Sequence, residues 1–127
     1  MVEKISTVAG VPKPQASYST YTRFGDLIFV AGQVGVEPET GRIPSSFADQ
    51  LRLVLDHIRN ILESTESSMD QILKMTVFLK DRVYRTEYDE IFRTYFRGGF
   101  PARSTIVADL MREEFLVEIE AMAAAPR

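Results

Sequence analysis

Hydrophobic positions follow two different periods along this chain, and the switches between them mark out its elements. Phe47, Leu51, Leu55, Ile58 and Leu62 recur at steps of four, four, three and four residues, the spacing of one face of an amphipathic helix over 46–64. Ahead of it, Tyr/Ser/Thr alternation at 18–23, a Phe24-Gly25-Asp26 turn signal and an apolar run at 27–31 ending at Gly32 predict a β-hairpin. Glu37-Pro38-Glu39-Thr40-Gly41 reads as the loop between hairpin and helix, and Val11-Pro12-Lys13-Pro14 as an extended lead-in. Beyond the helix, Ser68-Met69-Asp70-Gln71 has capping-box spacing for a short helical turn, and 73–79 reads as a strand. A second helix starts at Thr86 as its cap, carries Asp89 at the third helical position, buries Tyr88, Ile91, Phe92, Tyr95 and Phe96, and stops at Gly98-Gly99. Two last strands, 103–109 and 116–123, are joined by the charged connector Met111-Arg112-Glu113-Glu114. The order is ββα, βα, ββ.

That order implies an α+β fold, a mixed sheet with two long helices on one face. With both helices on one side, the other face leaves Ile28, Val30 and Val77, or their alternates along the strands, in water. A monomer rarely exposes such a patch. The expectation is therefore a homo-oligomer whose sheets close face to face, with a cleft between subunits available to a ligand.

Composition narrows the chemistry. The 127 residues fit one domain spanning the whole chain, 1–127, and are enough to bury about two thirds of the unfolded surface. Cysteine is absent, which removes disulfides, thiolate metal sites and a Cys nucleophile; His57 is the single histidine, too few for a His-based zinc site. No metal site is expected. Fifteen Lys and Arg against 18 Asp and Glu give a net charge of −3, which argues against a nucleic-acid partner. Arg82, Arg85, Arg93, Arg97 and Arg103 do form a locally basic stretch, read as solvated helix faces. No apolar run is long enough to span a membrane, and 1–10 lacks a secretory pattern, so the chain reads as soluble and cytoplasmic.

The remaining candidates are carboxylates, arginines, hydroxyls and backbone. Arg103 sits at the mouth of a predicted strand, just after Phe100-Pro101-Ala102. A guanidinium there is either a receptor for a substrate carboxylate, donating two parallel hydrogen bonds, or a surface salt-bridging group. Glu118 and Glu120 share one face of the last strand, either to place one carboxylate beside bound water or as a half-solvated face. His57 flanks the apolar stripe of the first helix, a structural position. Gly32-Gln33-Val34-Gly35 lacks the third glycine and following helix of a dinucleotide site, so no nucleotide cofactor is indicated.

Four blocks in order, Leu27-Ile28-Phe29-Val30-Ala31-Gly32-Gln33, Met75-Thr76-Val77-Phe78-Leu79, Phe100-Pro101-Ala102-Arg103-Ser104 and Val117-Glu118-Ile119-Glu120-Ala121, resemble the RidA (YjgF-like) reactive-intermediate deaminase family over 18–123. The resemblance implies a chorismate-mutase-like fold and a homotrimer whose sheets close into a barrel with three clefts between subunits. It implies cofactor-free hydrolysis of enamines and imines, such as 2-aminoacrylate and 2-iminopropanoate, to 2-keto acids and ammonia. By the same resemblance Arg103 grips the substrate carboxylate, Glu118 lies near the attacking water, Tyr18 helps close the cleft and Gly32 lays its backbone along it. This chain has Ala31 where relatives commonly carry Ser, Thr105 where they often carry Cys, Asp89 where some carry Asn, and Ala16-Ser17 in place of Gly-Pro. Each change touches a cleft contact and bears on which substrate is taken. Two other readings compete: a trimeric module that binds small carboxylates without turnover, and an endoribonuclease, which the charge and the single histidine disfavour.

Overall fold

The structure, a computed structural model, describes residues 1–126. Six strands form one mixed sheet: β1 (Glu3–Ile5), β2 (Tyr21–Phe24), β3 (Leu27–Val34), β4 (Ile72–Leu79), β5 (Ala102–Val107) and β6 (Val117–Ala124), in the spatial order β1-β2-β3-β6-β4-β5. Only β4 and β5 are parallel; every other neighbour pair is antiparallel. The crossover from β3 to β4 carries helix α1 (Phe47–Glu63), and that from β4 to β5 carries helix α2 (Arg85–Phe92).

α1 forms where the periodicity predicts it. Ser46 has extended backbone and its Oγ accepts a hydrogen bond from the Asp49 N–H at 3.3 Å, satisfying one of the open donors of the first turn. Leu51, Val54, Leu55, Ile58, Ile61 and Leu62 are wholly buried against the sheet. The same stripe carries two polar groups into the core. Gln50 donates from Nε2 to the carbonyls of Pro44 and Glu114, both at 2.8 Å, while its Oε1 accepts from Leu116 N–H at 2.9 Å. Each polar atom of this buried amide is thereby satisfied. His57, 2% exposed, lies against the Val36 carbonyl at 2.8 Å, and burial holds its pKa below the ordinary value. It is neutral at physiological pH and donates from Nε2, a structural group, as its place beside the stripe suggests, although it is fully inside.

Pleat alternation decides which strand residues meet the helices. Ile28, Val30, Met75, Val77, Leu79, Val117, Ile119, Ala121 and Ala123 are buried on the helix side. Their alternates face away: Leu27, Phe29, Met122 and Ile106 are between 40% and 49% exposed. The open apolar face thus exists, and it consists of the alternates rather than of Ile28, Val30 and Val77 themselves.

Three expectations are corrected. The chain before residue 18 contributes the edge strand β1, paired with β2 from Glu3↔Arg23 to Ile5↔Tyr21; a three-residue strand has too short a pattern to read. Tyr18 precedes β2 instead of opening it. Thr86 does not cap the second helix. A 3₁₀ turn at Arg82–Tyr84, started by Asp81 accepting from Val83 N–H at 2.8 Å, runs straight into α2, and a second 3₁₀ turn at Arg93–Tyr95 ends it. Asp89 is therefore the fifth residue of a short helix rather than the third of a long one. No described helix is long and apolar enough to cross a membrane.

Gly35 marks the tightest approach of loop to helix: an added Cβ would lie 2.7 Å from both Cα and Cβ of Gln50. Because those atoms belong to a helix backbone pinned by three hydrogen bonds, the collision cannot be relieved locally. Gly35→Ala is expected to lower the unfolding free energy by about 1–3 kcal/mol, the usual range for overpacking, measured by urea denaturation; an unchanged midpoint would contradict this contact.

Candidate functional site

Arg103 is the second residue of β5 and pairs in register with Met75, so its side chain rises on the helix side of the sheet. There it meets two rings presented by α2. The guanidinium carbon lies 4.6 Å from the ring centres of both Tyr88 and Phe92, within the range of cation–π attraction. Its Nη2 donates to Asp89 Oδ1 at 3.1 Å, and Arg93 donates to Asp89 Oδ2 at 2.8 Å. The two guanidinium groups hold the Asp89 carboxyl below the usual carboxylate range, so it stays ionised. Nε and Nη1 of Arg103 have no partner among the described residues, and only 28% of the side chain is exposed. A charged group with spare donors, seated on apolar rings in a half-screened position, is well built to receive a carboxylate.

Thr105 lies two residues along the same face, its Oγ1 2.9 Å from the Tyr88 hydroxyl. Burial pushes the Tyr88 pKa up, so the phenol keeps its proton. Arg103, Asp89 and Thr105, three of the residues singled out in the sequence, therefore share one groove of about 900 Å³. The same groove is lined by Arg82, Arg85 and Arg93. The arginines of the basic stretch are exposed, as expected of solvated helix faces, and four of them also line this open groove, the 3₁₀ turn before α2 placing the first two beside it.

The other candidates lie elsewhere. Glu118 pairs with Val34 and Phe78, and Phe78 pairs with Ile106, so it stands on the open face, opposite to Arg103. Its pKa is raised, chiefly by burial and further by the neighbouring Glu120 charge. The carboxyl leans on the β3 irregularity between Val30 and Gln33. A methyl group at Gly32 would collide with Oε2 of Glu118 and come within 3.0 Å of its Cδ. A side chain at Gly32 would therefore displace the Glu118 carboxyl from its present position, and Ala31 sits beside it in the same irregularity. Tyr18, half exposed, precedes β2, four strand positions from β5 and hence roughly 19 Å away across the sheet. One chain brings together Arg103, Asp89 and Thr105, and separately Ala31, Gly32 and Glu118; it does not bring Tyr18 or Glu118 to Arg103.

Sequence reading missed the rings under the guanidinium. Tyr88 and Phe92 are buried, as the apolar stripe of the second helix predicts. Their spacing of four, together with Asp89 and Arg93 also four apart, is the signal that one helix face offers both a platform and a carboxylate to whatever packs beneath it. Among the described residues no cluster of three or more His, Cys, Asp or Glu side chains could hold a metal ion.

A one-sidedly covered mixed sheet with an arginine groove beside its parallel edge defines a small α+β protein equipped to receive an anion. The family model described as Endoribonuclease L-PSP matches residues 9–125, and the chain belongs to this YjgF/RidA family. A RutC family protein of Pyrococcus horikoshii is 34% identical over 96% of this chain and 98% of its own length. TdcF of Escherichia coli K12, provisionally named a reactive intermediate deaminase, is 30% identical over 96% of this chain and 97% of its own. The crystal structure of E. coli TdcF with bound serine superposes with a TM-score of 0.91 at 30% identity, covering 98% of this chain and 100% of that one. Fold and family therefore match the resemblance in the four sequence blocks.

Glu118 offers a direct check on the electrostatics. A carboxyl whose folded-state pKa is raised favours folding in its neutral form; that contribution is complete below about pH 4.5 and is lost as pH climbs through the folded-state value. At pH 7 the ionised group thus opposes folding. Glu118→Gln is expected to melt higher than the wild type at pH 7, with the difference shrinking toward zero at pH 4, as followed by calorimetry. Equal melting temperatures at pH 7 would contradict it.

Proposed function

We propose that this protein hydrolyses reactive imines and their enamine tautomers, of the 2-aminoacrylate and 2-iminopropanoate type, to 2-keto acids and ammonia, as a cytoplasmic homotrimer without a cofactor. The observation that carries this reading is the Arg103 guanidinium, held on Tyr88 and Phe92 with Nε and Nη1 unengaged. In it, Arg103 takes the substrate carboxylate and fixes the orientation of the C=N bond beside it. Glu118, ionised and made a stronger base by the burial that raises its pKa, holds a water and accepts a proton from it as the oxygen bonds to the imine carbon. The amine nitrogen of the resulting carbinolamine takes that proton from Glu118, and the C–N bond breaks so that ammonia leaves with its bonding pair while an oxygen lone pair closes the C=O bond of the keto acid and the hydroxyl proton passes to Glu118. A protonated imine is already electrophilic, so fixed charge and positioning supply most of the assistance.

The proposed assembly is supported by the placement of these groups. Arg103 and Glu118 stand on opposite faces of the sheet, and Tyr18 lies at the far side of the strand order. They can serve one substrate only if a second copy brings its β3–β6 region and its Tyr18 to the β5 edge of the first. The exposed Leu27, Phe29, Ile106 and Met122 would be covered when three sheets close on one another.

The relatives support the reading: TdcF is named for the deamination of reactive intermediates and has been crystallised with serine, a small amino acid bearing a carboxylate. The endoribonuclease description attached to the family model finds less support in this chain. Its one histidine is buried, held neutral and spent on the Val36 carbonyl, so it cannot supply half of a histidine acid–base pair for RNA cleavage.

Two measurements test this. In a coupled assay, with an amino-acid oxidase generating imines, Arg103→Ala should lower kcat/KM for keto-acid release by at least about 100-fold, the loss expected on removing a two-pronged charged contact. Near wild-type rates in that variant would sink the assignment, and keto-acid binding without product release from any imine would leave a carboxylate-binding module instead. In sedimentation velocity at micromolar concentration the protein should run as a trimer; a stable monomer would refute the shared site.

A further inference from the structure

The groove that holds Arg103 is much larger than a three-carbon imino acid requires, and its far end is not apolar. It continues along β5 past Thr105 to Val107, about 13 Å of strand beyond Arg103. Over that stretch the walls are Leu79 and Val107 below, and Arg82, Arg85 and Thr86 from the turn into α2. Neither the Arg82 nor the Arg85 side chain has a hydrogen-bond or ion-pair partner among the described residues. Arg93 and Arg103, by contrast, are both tied to Asp89. Four guanidinium groups thus face two carboxylates, Asp89 and Glu90, and the uncompensated charge is concentrated away from Arg103. Both arginines are exposed and solvated, so an apolar side chain gains no contact from them. A substrate with an anion at that end would complete them.

We propose that this groove selects imines whose side chain carries a second carboxylate, the 2-imino derivatives of four- and five-carbon dicarboxylic acids. Arg103 takes the α-carboxylate beside the C=N bond, and Arg82 and Arg85 take the distal one. This rests on the deaminase reading of the same site and names the substrate class within it. Arg82 and Arg85 are specificity residues: they touch the distal group and leave the hydrolytic step to Arg103 and Glu118. The residue changes noted in the sequence agree with such a shift. Thr105 supplies a hydroxyl along the path to the distal end, and Asp89 neutralises part of the charge at Arg103 while leaving that at Arg82 and Arg85 untouched.

Titration calorimetry of the intact protein with 2-oxoglutarate and with pyruvate reads this selectivity without needing turnover. The wild type should bind 2-oxoglutarate at least about 10-fold more tightly than pyruvate, the gain expected from one charge-assisted contact. In Arg82→Ala/Arg85→Ala, with the circular dichroism spectrum of the wild type, the ratio should fall to near one. Arg97→Ala removes a positive charge outside the groove and should leave the ratio as it was, which separates a specific contact from general attraction. A ratio near one in the wild type, or one unaltered in the double variant, overturns the proposal. The oxidase-coupled assay with aspartate or glutamate against alanine then tells the two readings apart. Release from the alanine imine with no dicarboxylate preference sinks only this inference. Tight, Arg82- and Arg85-dependent binding with no release from any imine sinks only the hydrolytic one.

Discussion

The sheet is covered by helices on one side alone, and most of what matters in this protein descends from that. Because successive side chains alternate between faces, every strand divides into a half under α1 and α2 and a half left outside. The inner half, with Val77, Val117 and Ile119 fully buried, makes the core. The outer half gathers Leu27, Phe29, Ile106 and Met122 into a surface that water solvates poorly. The same alternation separates the two chemical groups of greatest interest, placing Arg103 inward beneath α2 and Glu118 outward on the open face. One chain alone therefore cannot bring both groups to a single ligand, which is the ground for the shared site proposed above.

Arg103 is stabilised where it stands by three weak effects that act together. The rings of Tyr88 and Phe92 attract its charge, Asp89 anchors one of its nitrogens, and the surrounding protein limits its freedom to rotate. Asp89 remains partly exposed, so this ion pair contributes little stability by itself. Its effect is to orient the fork before any ligand arrives, which lowers the ordering cost of binding. The departures from the common family pattern acquire physical content here. A threonine at 105 has a hydroxyl that shares a hydrogen bond with the Tyr88 phenol, a stronger contact than a thiol would make. An aspartate at 89 can satisfy two guanidinium groups at once, one on each oxygen.

Glu118 illustrates a tension between fold and chemistry. A half-buried carboxyl beside Glu120 is poorly solvated as an anion, and Gly32 lets it pack closely enough to deepen that burial. Such a group opposes folding when ionised and is, for the same reason, poised to exchange a proton with bound water. A side chain at residue 32 would move the carboxyl out of this position, whereas no positive φ calls for glycine there.

The helix α1, the hairpin of β2 and β3, the strands β4 to β6 and the family itself were legible in the residue order, because periodicity and local turn chemistry depend on near neighbours alone. The four blocks likewise singled out Arg103, Glu118 and Gly32 as candidates, and the structure places Gly32 against the Glu118 carboxyl but Arg103 on the other face. What the linear pattern could not show was set by contacts distant in sequence. β1 is a strand only because β2 offers it an edge. The second helix starts one residue before Thr86 because a turn nucleated by Asp81 leads into it. Gln50 is buried because two backbone groups far along the chain, the Glu114 carbonyl and the Leu116 N–H, join the nearby Pro44 carbonyl in completing its hydrogen bonds. Arg82 and Arg85 are solvated surface, but that they line the same groove as Arg103 follows only from the crossover. Spacing along the chain determined which face of each element is apolar; only the stacking of helix on sheet decided which charges come to share a cavity, since that depends on the strand order and the direction of each crossover.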